Sequence, residues 1–275
     1  MHSIMKWWLR RRREAGEVCD GQLAFQCNIC GRYCVRALAA IGRELPSCPR
    51  CGSTVRFRAV IRLLALHCFG DNIALPDFPL RKTLRGAGMS DWGGYARPLT
   101  RCLNYTNTFY HKEPQLDITN IPDDQCNTLD FLISSDVLEH VAPPVALAFI
   151  NARRLLKPGG LFLLTVPWVM EGETREHFPD LYDFEVLHSG HPNAVLHNRT
   201  ADGRQQEFHN LVFHGGAGAT LEMRLFSRAG IVRNLEQAGF MDIQFHDEPD
   251  EAHGILWPPN TSPPITARVA GGSGA

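Results

Sequence analysis

The 275-residue chain lacks an excess of charge of either sign and lacks a long apolar run. Its 28 Lys and Arg balance 29 Asp and Glu, so the formal net charge is −1 and nothing global favours a polyanionic partner. No apolar stretch reaches the roughly 18 residues that a membrane-spanning helix needs, and no hydrophobic leader with a cleavage site is apparent at the N-terminus. Apolar residues still make up 44% of the chain. The composition therefore predicts a globular, cytoplasmic protein with a buried core and excludes a fibrous or disordered one.

The nine cysteines give little reason to expect disulfides, because their number is odd and four of them form two C-x-x-C pairs. Cys27 and Cys30 form the first pair and Cys48 and Cys51 form the second, with 17 residues between Cys30 and Cys48. This spacing is typical of a four-thiolate zinc site. A closed shell of four sulfurs leaves no position for water or substrate, so the predicted zinc is structural. Cys34 is the one alternative ligand, and the other cysteines are expected to be small hydrophobic residues.

Basic side chains are concentrated at two places. The run 6–13 sets Lys6 and four arginines beside two tryptophans, a pattern suited to anionic lipid or RNA and equally typical of a solvated helix start. The second group lies on a helix that Ser53 or Thr54 is expected to cap. Its members, which the pattern leaves open to phosphates or to solvent, are Arg56, Arg58 and Arg62.

After residue 81, short apolar strands alternate with helical stretches. This rhythm predicts a Rossmann-like, doubly wound and mostly parallel sheet. A strand at 83–84 is expected to end in a glycine turn at 86–90, followed by a helix over 91–101. Another strand, over 129–135, leads directly into a polar group. Because ligands bind outside the carboxyl ends of strands in such sheets, chemistry is expected at Ser135, Asp136, Glu139 and His140.

The later segments complete this pattern. A helix over 145–156 is expected to stop at Lys157-Pro158-Gly159-Gly160, before a strand over 161–166. Ser227 can cap a helix that runs to Ala238, and extended segments are expected at 241–245 and 265–269. The stretch 168–226 is too long for a simple connection, so it is predicted to be a lid over the substrate, with a hairpin formed by 194–199 and 205–213.

Several runs in this part of the chain resemble class I S-adenosylmethionine-dependent methyltransferases, and most closely the type-11-like group. The runs are Leu116-Asp117-Ile118-Thr119, Leu129-Asp130-Phe131, Asp136-Val137-Leu138-Glu139-His140-Val141 and Arg154-Leu155-Leu156-Lys157-Pro158-Gly159-Gly160. Members of this group with an N-terminal cysteine ribbon have a similar Cys-Pro-x-Cys-Gly-Ser run before a helix. The resemblance therefore covers roughly residues 27 to 245, and it implies S-adenosylmethionine as cofactor.

The resemblance also implies roles for individual residues. Gly86, Ala87 and Gly88 would line the methionine part of the cofactor, Asp117 and Ile118 would face the adenine, and Ser135 and Asp136 would approach the sulfonium. The sequence departs from the group's pattern in that Leu84 stands where an acidic residue is usual and Ser90 replaces a third glycine. The acidic residue that usually binds the ribose is also missing, and Asn107 is the predicted substitute.

Catalysis would require little more than positioning, because the sulfonium is already a strong methyl donor. A hydroxyl acceptor would also need a base, and His140 is the best-placed candidate, although it is as readily explained as packing at a helix start. In the lid, Glu176 and His177 are predicted substrate contacts or the alternative base. These two could instead bind a catalytic metal together with His209 and His214, although their spacing matches no known ligand pattern.

Five segments follow from this interpretation: a basic N-terminal segment (1–18), a zinc ribbon (19–56), a connecting helix and linker (57–80), a methyltransferase core with its insertion (81–257, insertion 168–226) and a Pro/Gly-rich tail (258–275). The predicted activity is methyl transfer to a small-molecule or glycan hydroxyl. The second possibility is an RNA methyltransferase that grips RNA with Arg50, Arg56 and Arg58. The third is an inactive binding module that retains the fold.

Overall fold

A computed structural model describes residues 14–189, 191–214 and 220–271. The basic run 6–13, which the sequence analysis singles out, lies outside the described residues. The chain forms two compact units. The first contains the described residues up to Arg85 together with Asp91–Thr106 and Phe245–Pro264; the second contains Gly86–Ser90, Asn107–Gln244 and the described residues from Ile265.

The first unit combines a small antiparallel sheet with two helices. Its strands are β1 (Val18–Cys19), β2 (Gln22–Gln26) and β3 (Tyr33–Ala37), and its helices are α1 (Val55–Phe69) and α2 (Gly93–Cys102). Thr54, one of the two predicted caps, accepts a hydrogen bond from the Phe57 amide at 3.4 Å, and Gly70 ends α1 in the left-handed conformation. The helix starts at Val55, directly after this cap.

Arg58 is fully buried, so the expectation that it faces solvent or phosphate is wrong. Its guanidinium donates hydrogen bonds to the Ser53 carbonyl (2.9 Å), the Ser47 hydroxyl (2.8 Å) and the Gly254 carbonyl (2.7 Å). Burial is tolerated because these acceptors replace the lost water. Arg56 is bound to Glu44 and Arg62 to Asp250.

The central sheet begins with four strands that alternate with helices. They are β4 (Arg81–Met89), β5 (Leu103–Thr108), β6 (Leu129–Ser135) and β7 (Leu156–Thr165), and α3 (Ala146–Leu155) connects the last two. β4 pairs with β6, and β6 with β7, in parallel. The side chains of Phe131, Leu132, Ile133 and their neighbours on β7 are fully or almost fully buried, as expected for strands covered on both faces.

Two predicted boundaries in this sheet are wrong. The glycines at 86–88 lie within β4, not in a turn, and the following helix begins at Gly93 instead of Asp91. Likewise, the run Lys157–Gly160 does not precede β7 but belongs to it. Leu129 pairs with Leu156 and Phe131 pairs with Leu161, so the run forms a bulge, which Gly159 accommodates with a φ of +76°.

The insertion folds into short strands with a small apolar core of its own. Its strands are β8 (Trp168–Val169), β9 (Arg175–Glu176), β10 (Asp183–Leu187), β11 (Val195–Arg199), β12 (Gln205–Phe208), β13 (Phe213–His214), β14 (Thr220–Leu221) and β15 (Arg224–Ser227). The predicted hairpin is confirmed, because β11 and β12 pair antiparallel. Phe178, Leu196, Leu221 and Met223 form the core.

The last elements complete the central sheet. Helix α4 (Arg228–Gln237) begins where the Ser227 hydroxyl accepts the Gly230 amide at 3.0 Å, which confirms that predicted cap. Strands β16 (Phe240–Phe245) and β17 (Ile265–Val269) extend the sheet to the order β16-β17-β7-β6-β4-β5, with β17 antiparallel to β7. The predicted α/β fold with a mostly parallel sheet is confirmed. Within the described residues, no helix is long and apolar enough to cross a membrane, and the expected cytoplasmic location stays a prediction.

Candidate active site

The carboxyl ends of β4, β5, β6 and β7 meet at one edge of the sheet. For β5 this follows from two hydrogen bonds: the Ser90 amide donates to the Thr108 carbonyl at 2.7 Å, and the Thr108 hydroxyl donates to the Gly88 carbonyl at 2.9 Å. This edge is where ligands bind in open α/β sheets. The predicted cofactor residues Gly88, Asn107, Ser135 and Asp136 lie on it.

Gly86 has a packing role that the sequence does not reveal. It pairs with Phe131 on β6, and a Cβ atom at position 86 would lie 2.1 Å from the Phe131 ring. Because this ring is fully buried, it has no room to move aside. The chain turns only at Ser90, the last residue of the predicted turn, which adopts a left-handed φ of +58°. Ser90 therefore occupies the turn position where the family pattern has a glycine.

Asp136 is held tightly at the end of β6. Its amide donates to the Thr165 carbonyl at 2.9 Å, and the Thr165 hydroxyl donates to Asp136 Oδ1 at 2.7 Å. The residue has a φ of +53°, an uncommon conformation for a side chain other than glycine. Ser135 Oγ lies 3.4 Å from the Thr165 hydroxyl. Thr165, which the sequence analysis did not single out, thus fixes the carboxylate predicted to approach the sulfonium.

Asp117 and Ile118 lie next to the same edge. Leu116 donates its amide to the Phe109 carbonyl, one residue past the end of β5. Asp117 Oδ1 accepts hydrogen bonds from the amide (2.9 Å) and hydroxyl (2.7 Å) of Thr119, which fixes a local turn. Ile118 is buried, and its carbonyl accepts a hydrogen bond from Asn151 of α3 at 2.9 Å.

A cluster of imidazoles and carboxylates lies just beyond β6. His140, on the turn Leu138–His140, places Nε2 3.8 Å from Oε1 of the fully buried Glu139. His214 of β13 places Nδ1 3.9 Å from the same oxygen, and its Nε2 lies 2.7 Å from Glu222 Oε2. His177 Nε2 lies 2.7 Å from the other Glu222 oxygen. We call these five residues the His/Glu cluster; it brings the two predicted bases, His140 and His177, into one site.

The protonation of His140 follows from its contacts. Its Nδ1 lies 2.9 Å from the Leu221 carbonyl, which can only accept, so Nδ1 carries the proton and Nε2 has a lone pair. Burial lowers the pKa of His140, partly offset by this hydrogen bond, so the imidazole is neutral near pH 7. A neutral imidazole with an unprotonated Nε2 can accept a proton.

Glu176 forms a contact outside the His/Glu cluster. The buried Arg224 donates from Nε to Glu176 Oε1 at 2.8 Å, and from Nη1 to the carbonyls of Leu138 (2.9 Å) and Val141 (2.6 Å). Arg224 therefore fixes the turn that carries Glu139 and His140. The four residues of the alternative metal set predicted from the sequence are also not brought together at one point. Glu176 binds Arg224, and His209 lies on an exposed strand end, 3.6 Å from Glu207.

The first unit contains the predicted zinc ligands as one cluster, with Cys27 and Cys51 Sγ atoms 3.7 Å apart and Cys30 and Cys48 Sγ atoms also 3.7 Å apart. Four sulfurs about 2.3 Å from one tetrahedral ion are separated by about 3.8 Å, so the cluster fits zinc. The contact between Cys27 and Cys51 lowers the pKa of the first and raises that of the second, because the two sulfurs share one proton. Cys34 Sγ lies 3.7 Å from Cys48 but outside the set of four.

The sequence analysis missed two members of this site. Glu222 and Arg224 are buried or nearly so, although charged residues are rarely buried without a partner. The signal available in the sequence was Leu221-Glu222-Met223-Arg224, two charged residues alternating with apolar ones. Alternation indicated a strand but could not indicate which face is buried.

Comparison with known proteins supports one part of this edge directly. Residues 101–164 match a family model described as a methyltransferase domain. The match shows that this segment, about a quarter of the chain, is similar to that family. It supports the predicted class of enzyme, an S-adenosylmethionine-dependent methyltransferase, and it includes the predicted binding residues from Asn107 to Asp136 as well as His140.

No curated protein matches the chain. Among solved structures, an S-adenosylmethionine-dependent methyltransferase from Clostridium acetobutylicum is 12% identical, with a TM-score of 0.44, over 78% of this chain and 92% of its own. The sugar N-methyltransferase KedS8 from Streptoalloteichus is 11% identical, with a TM-score of 0.44, over 78% and 87%. The amino pentose methyltransferase CalS10 from Micromonospora echinaspora is 14% identical, with a TM-score of 0.44, over 79% and 92%.

Proposed function

We propose that the protein transfers a methyl group from S-adenosylmethionine to a hydroxyl oxygen of a small molecule or glycan. One observation carries this proposal: the polar residues of the methyltransferase-like segment meet at the carboxyl edge of the sheet, next to a histidine whose Nε2 has a lone pair. The segment provides the cofactor site and the adjoining insertion provides the candidate acceptor site.

The residues at this edge suit the cofactor by their chemistry. The cofactor has an ammonium group, ribose hydroxyls and an adenine amine, all of which donate hydrogen bonds. Asp136, Asp117 and Asn107 offer carboxylate and amide oxygens as acceptors, and Ser135 adds a hydroxyl. Gly86, Ala87 and Gly88 lie on β4 at the same edge. When bound, S-adenosylmethionine would supply an activated methyl group.

Within the His/Glu cluster, the chain's own groups would orient the acceptor and remove its proton. We assign the role of base to Nε2 of His140, with His177 as the alternative. Glu222 would hold His177 and His214 in place, since each places Nε2 2.7 Å from one of its oxygens. Glu176 would support the site through Arg224.

Zinc bound by Cys27, Cys30, Cys48 and Cys51 would stabilise the first unit, and the proposal gives it no catalytic role. An RNA acceptor has less support from the structure. Of the three arginines considered for RNA docking, Arg58 is buried and Arg56 is bound to Glu44. The inactive binding module is the alternative that the first experiment below tests.

Cofactor binding is tested by thermal unfolding of the purified protein with S-adenosylmethionine or its demethylated product. Each compound should raise the melting temperature, because ligands that bind only the folded state stabilise it. Asp136→Asn should reduce the shift, whereas Asp183→Asn, a change on the exposed β10, should leave it unchanged. No shift at millimolar concentration of either compound would favour the inactive module.

Acceptor class is tested with isotope-labelled methyl donor and two pools, one of glycans and small hydroxylated metabolites and one of RNA. Label should enter the first pool. Once an acceptor is known, His140→Ala or His177→Ala should lower the rate by more than about tenfold, as expected for loss of a general base. His197→Ala, on β11, is the matched control. If neither variant loses more than about tenfold, both base assignments fail.

A further inference from the structure

The strongest feature outside the cofactor edge is the way three ligand atoms converge within the His/Glu cluster. His140 Nε2, His214 Nδ1 and a Glu139 carboxylate oxygen all lie within 4.8 Å of one another. The carboxylate oxygen is 3.8 Å from the first nitrogen and 3.9 Å from the second, which is too long for a hydrogen bond in either case.

Both imidazoles are held so that the converging nitrogen has a lone pair. His140 uses Nδ1–H for the Leu221 carbonyl, which leaves Nε2 to face Glu139. In His214 the roles of the nitrogens are reversed. Its Nε2 lies 2.7 Å from the Glu222 carboxylate, the natural partner for an N–H, so Nδ1 faces Glu139. Two nitrogen lone pairs and a carboxylate oxygen that face one place form an arrangement that a bound cation would stabilise.

We propose that Glu139, His140 and His214 form a site for a divalent first-row transition-metal ion. Two imidazoles and one carboxylate are a common ligand set for catalytic zinc and non-haem iron, with open positions for water or substrate oxygen. Ligand atoms around such an ion are about 3 to 4 Å apart, because each bond is about 2.0–2.2 Å long. The observed separations of 3.8 and 3.9 Å need only small side-chain shifts.

The surroundings of the three residues match those of known metal sites. Imidazole ligands almost always donate their second N–H to a carbonyl or carboxylate, which fixes the ring and its tautomer. Here the Leu221 carbonyl serves His140 and the Glu222 carboxylate serves His214. Glu139 is fully buried and His140 nearly so, whereas the His214 side chain is 36% exposed and gives an ion access from solvent. Arg224 fixes the turn that carries the other two ligands.

The site also bears on the reaction, and this part rests on the proposed function. An ion held by three protein ligands has room for a hydroxyl oxygen of the acceptor, whose pKa it would lower. His140 would then be a ligand, and His177 would be the remaining candidate base. Binding of the ion itself does not depend on methyl transfer.

The test is a titration with Mn²⁺ of the full chain after one equivalent of zinc per chain has been added, which the four thiolates bind first. Mn²⁺ prefers oxygen and nitrogen ligands and thiolates prefer zinc, so the cysteine cluster should not compete. Free Mn²⁺, measured by electron paramagnetic resonance, should show one saturable site. Glu139→Gln, His140→Ala and His214→Ala should each weaken binding by at least tenfold, and Glu222→Gln by about tenfold through the orientation of His214.

His197→Ala is the control and should bind as the wild type does, since His197 lies on β11 beside Glu207. A second measurement avoids variants: in the wild type, Mn²⁺ should broaden the imidazole NMR signals of His140 and His214 at lower Mn²⁺ concentrations than that of the control residue His197. The metal site would be disproved if no saturable Mn²⁺ binding is found. It would also be disproved if Mn²⁺ binds but the variants bind it as tightly as the wild type and the NMR signals of His140 and His214 are not broadened. The thermal shift with S-adenosylmethionine, measured without Mn²⁺, tests the proposed function separately.

Discussion

Arg224 and Glu176 form an ion pair in which the guanidinium is fully buried and the carboxylate is 37% exposed, with Nε 2.8 Å from Oε1. The sequence analysis considered Glu176 a candidate base because of its place in the insertion. In the structure its Oε1 accepts a hydrogen bond from the Arg224 guanidinium. The pair instead connects the insertion to the turn that carries His140, through the two carbonyls that Arg224 also binds.

Replacing Arg224 with methionine should destabilise the second unit by roughly 3 kcal/mol. The change leaves the Leu138 and Val141 carbonyls without their buried donor and removes the partner of Glu176. Urea unfolding measures this loss. Glu176→Gln should cost less than about 1 kcal/mol, since that side of the pair is partly exposed. Equal losses in the two variants would contradict the role assigned to Arg224.

Gly86→Ala should destabilise the protein by roughly 1–3 kcal/mol, even without a cofactor, because the new methyl group would overlap the Phe131 ring. Phe131→Leu in the same chain should restore part of the loss by making room. The measurement is thermal unfolding of the two variants without ligand. If Gly86→Ala leaves stability unchanged and lowers only cofactor binding, the packing explanation is wrong.

Asp91 should make stability depend on pH. Burial raises the pKa of its carboxyl to about 7, against hydrogen bonds from Tyr105 and Tyr95 that lower it. In the unfolded chain this carboxyl loses its proton near pH 4, so stability should fall as the pH rises from about 4 through about 7. Asp91→Asn should be more stable than wild type at pH 8, by on the order of 3 kcal/mol, and the difference should shrink toward pH 4.

Urea unfolding followed by tryptophan fluorescence suits this experiment, because Trp92 stacks on Phe57 within the same unit, with ring centroids 4.8 Å apart. The exposed Asp124→Asn is the control and should show no such change. A difference between Asp91→Asn and wild type that is independent of pH would indicate that the amide alters packing instead of proton binding.

The zinc content of cysteine variants should distinguish the four cysteines of the cluster from the neighbouring Cys34. Cys48→Ser should lose zinc and much of the thermal stability of the first unit, since a structural zinc contributes to folding. Cys34→Ser should retain about one zinc per chain, although its sulfur lies 3.7 Å from Cys48. Elemental analysis after dialysis decides this. Zinc loss in Cys34→Ser with zinc retained in Cys51→Ser would make Cys34 the fourth ligand.

The sequence predicts an element of the fold correctly where the local residue pattern and the burial of the segment indicate the same structure. The strand Leu129–Ser135 has the predicted bounds, since an apolar run with β-branched and aromatic residues has no alternative in a sheet covered on both faces. Helix caps at Thr54 and Ser227 are equally local. The Lys157–Gly160 run led to a wrong strand boundary because proline and glycine occur both at helix ends and in β-bulges. Only the pairing of β7 with β6 shows that this run is a bulge.

The site was predictable only on its cofactor side. Spacing locates Ser135, Asp136 and His140 at the end of a strand, because that depends on a few residues of sequence. The partners of His140 come from positions 214–224, some 80 residues away, through contacts made by an irregular insertion. Periodicity carries no information about such contacts. Arg58 shows the same limit, since its acceptor at Gly254 is 196 residues away.

The position of Gly254 and Ser262 beside the cysteine ribbon has a consequence for biosynthesis. The carbonyls of these residues accept hydrogen bonds from Arg58 and Arg43, so the two arginines lack these acceptors until residue 262 has been translated. Nascent chains that end before about residue 262 should therefore leave both guanidinium groups without these partners. The cysteine ribbon would thus mature only after a segment about 200 residues further along the chain has been synthesised.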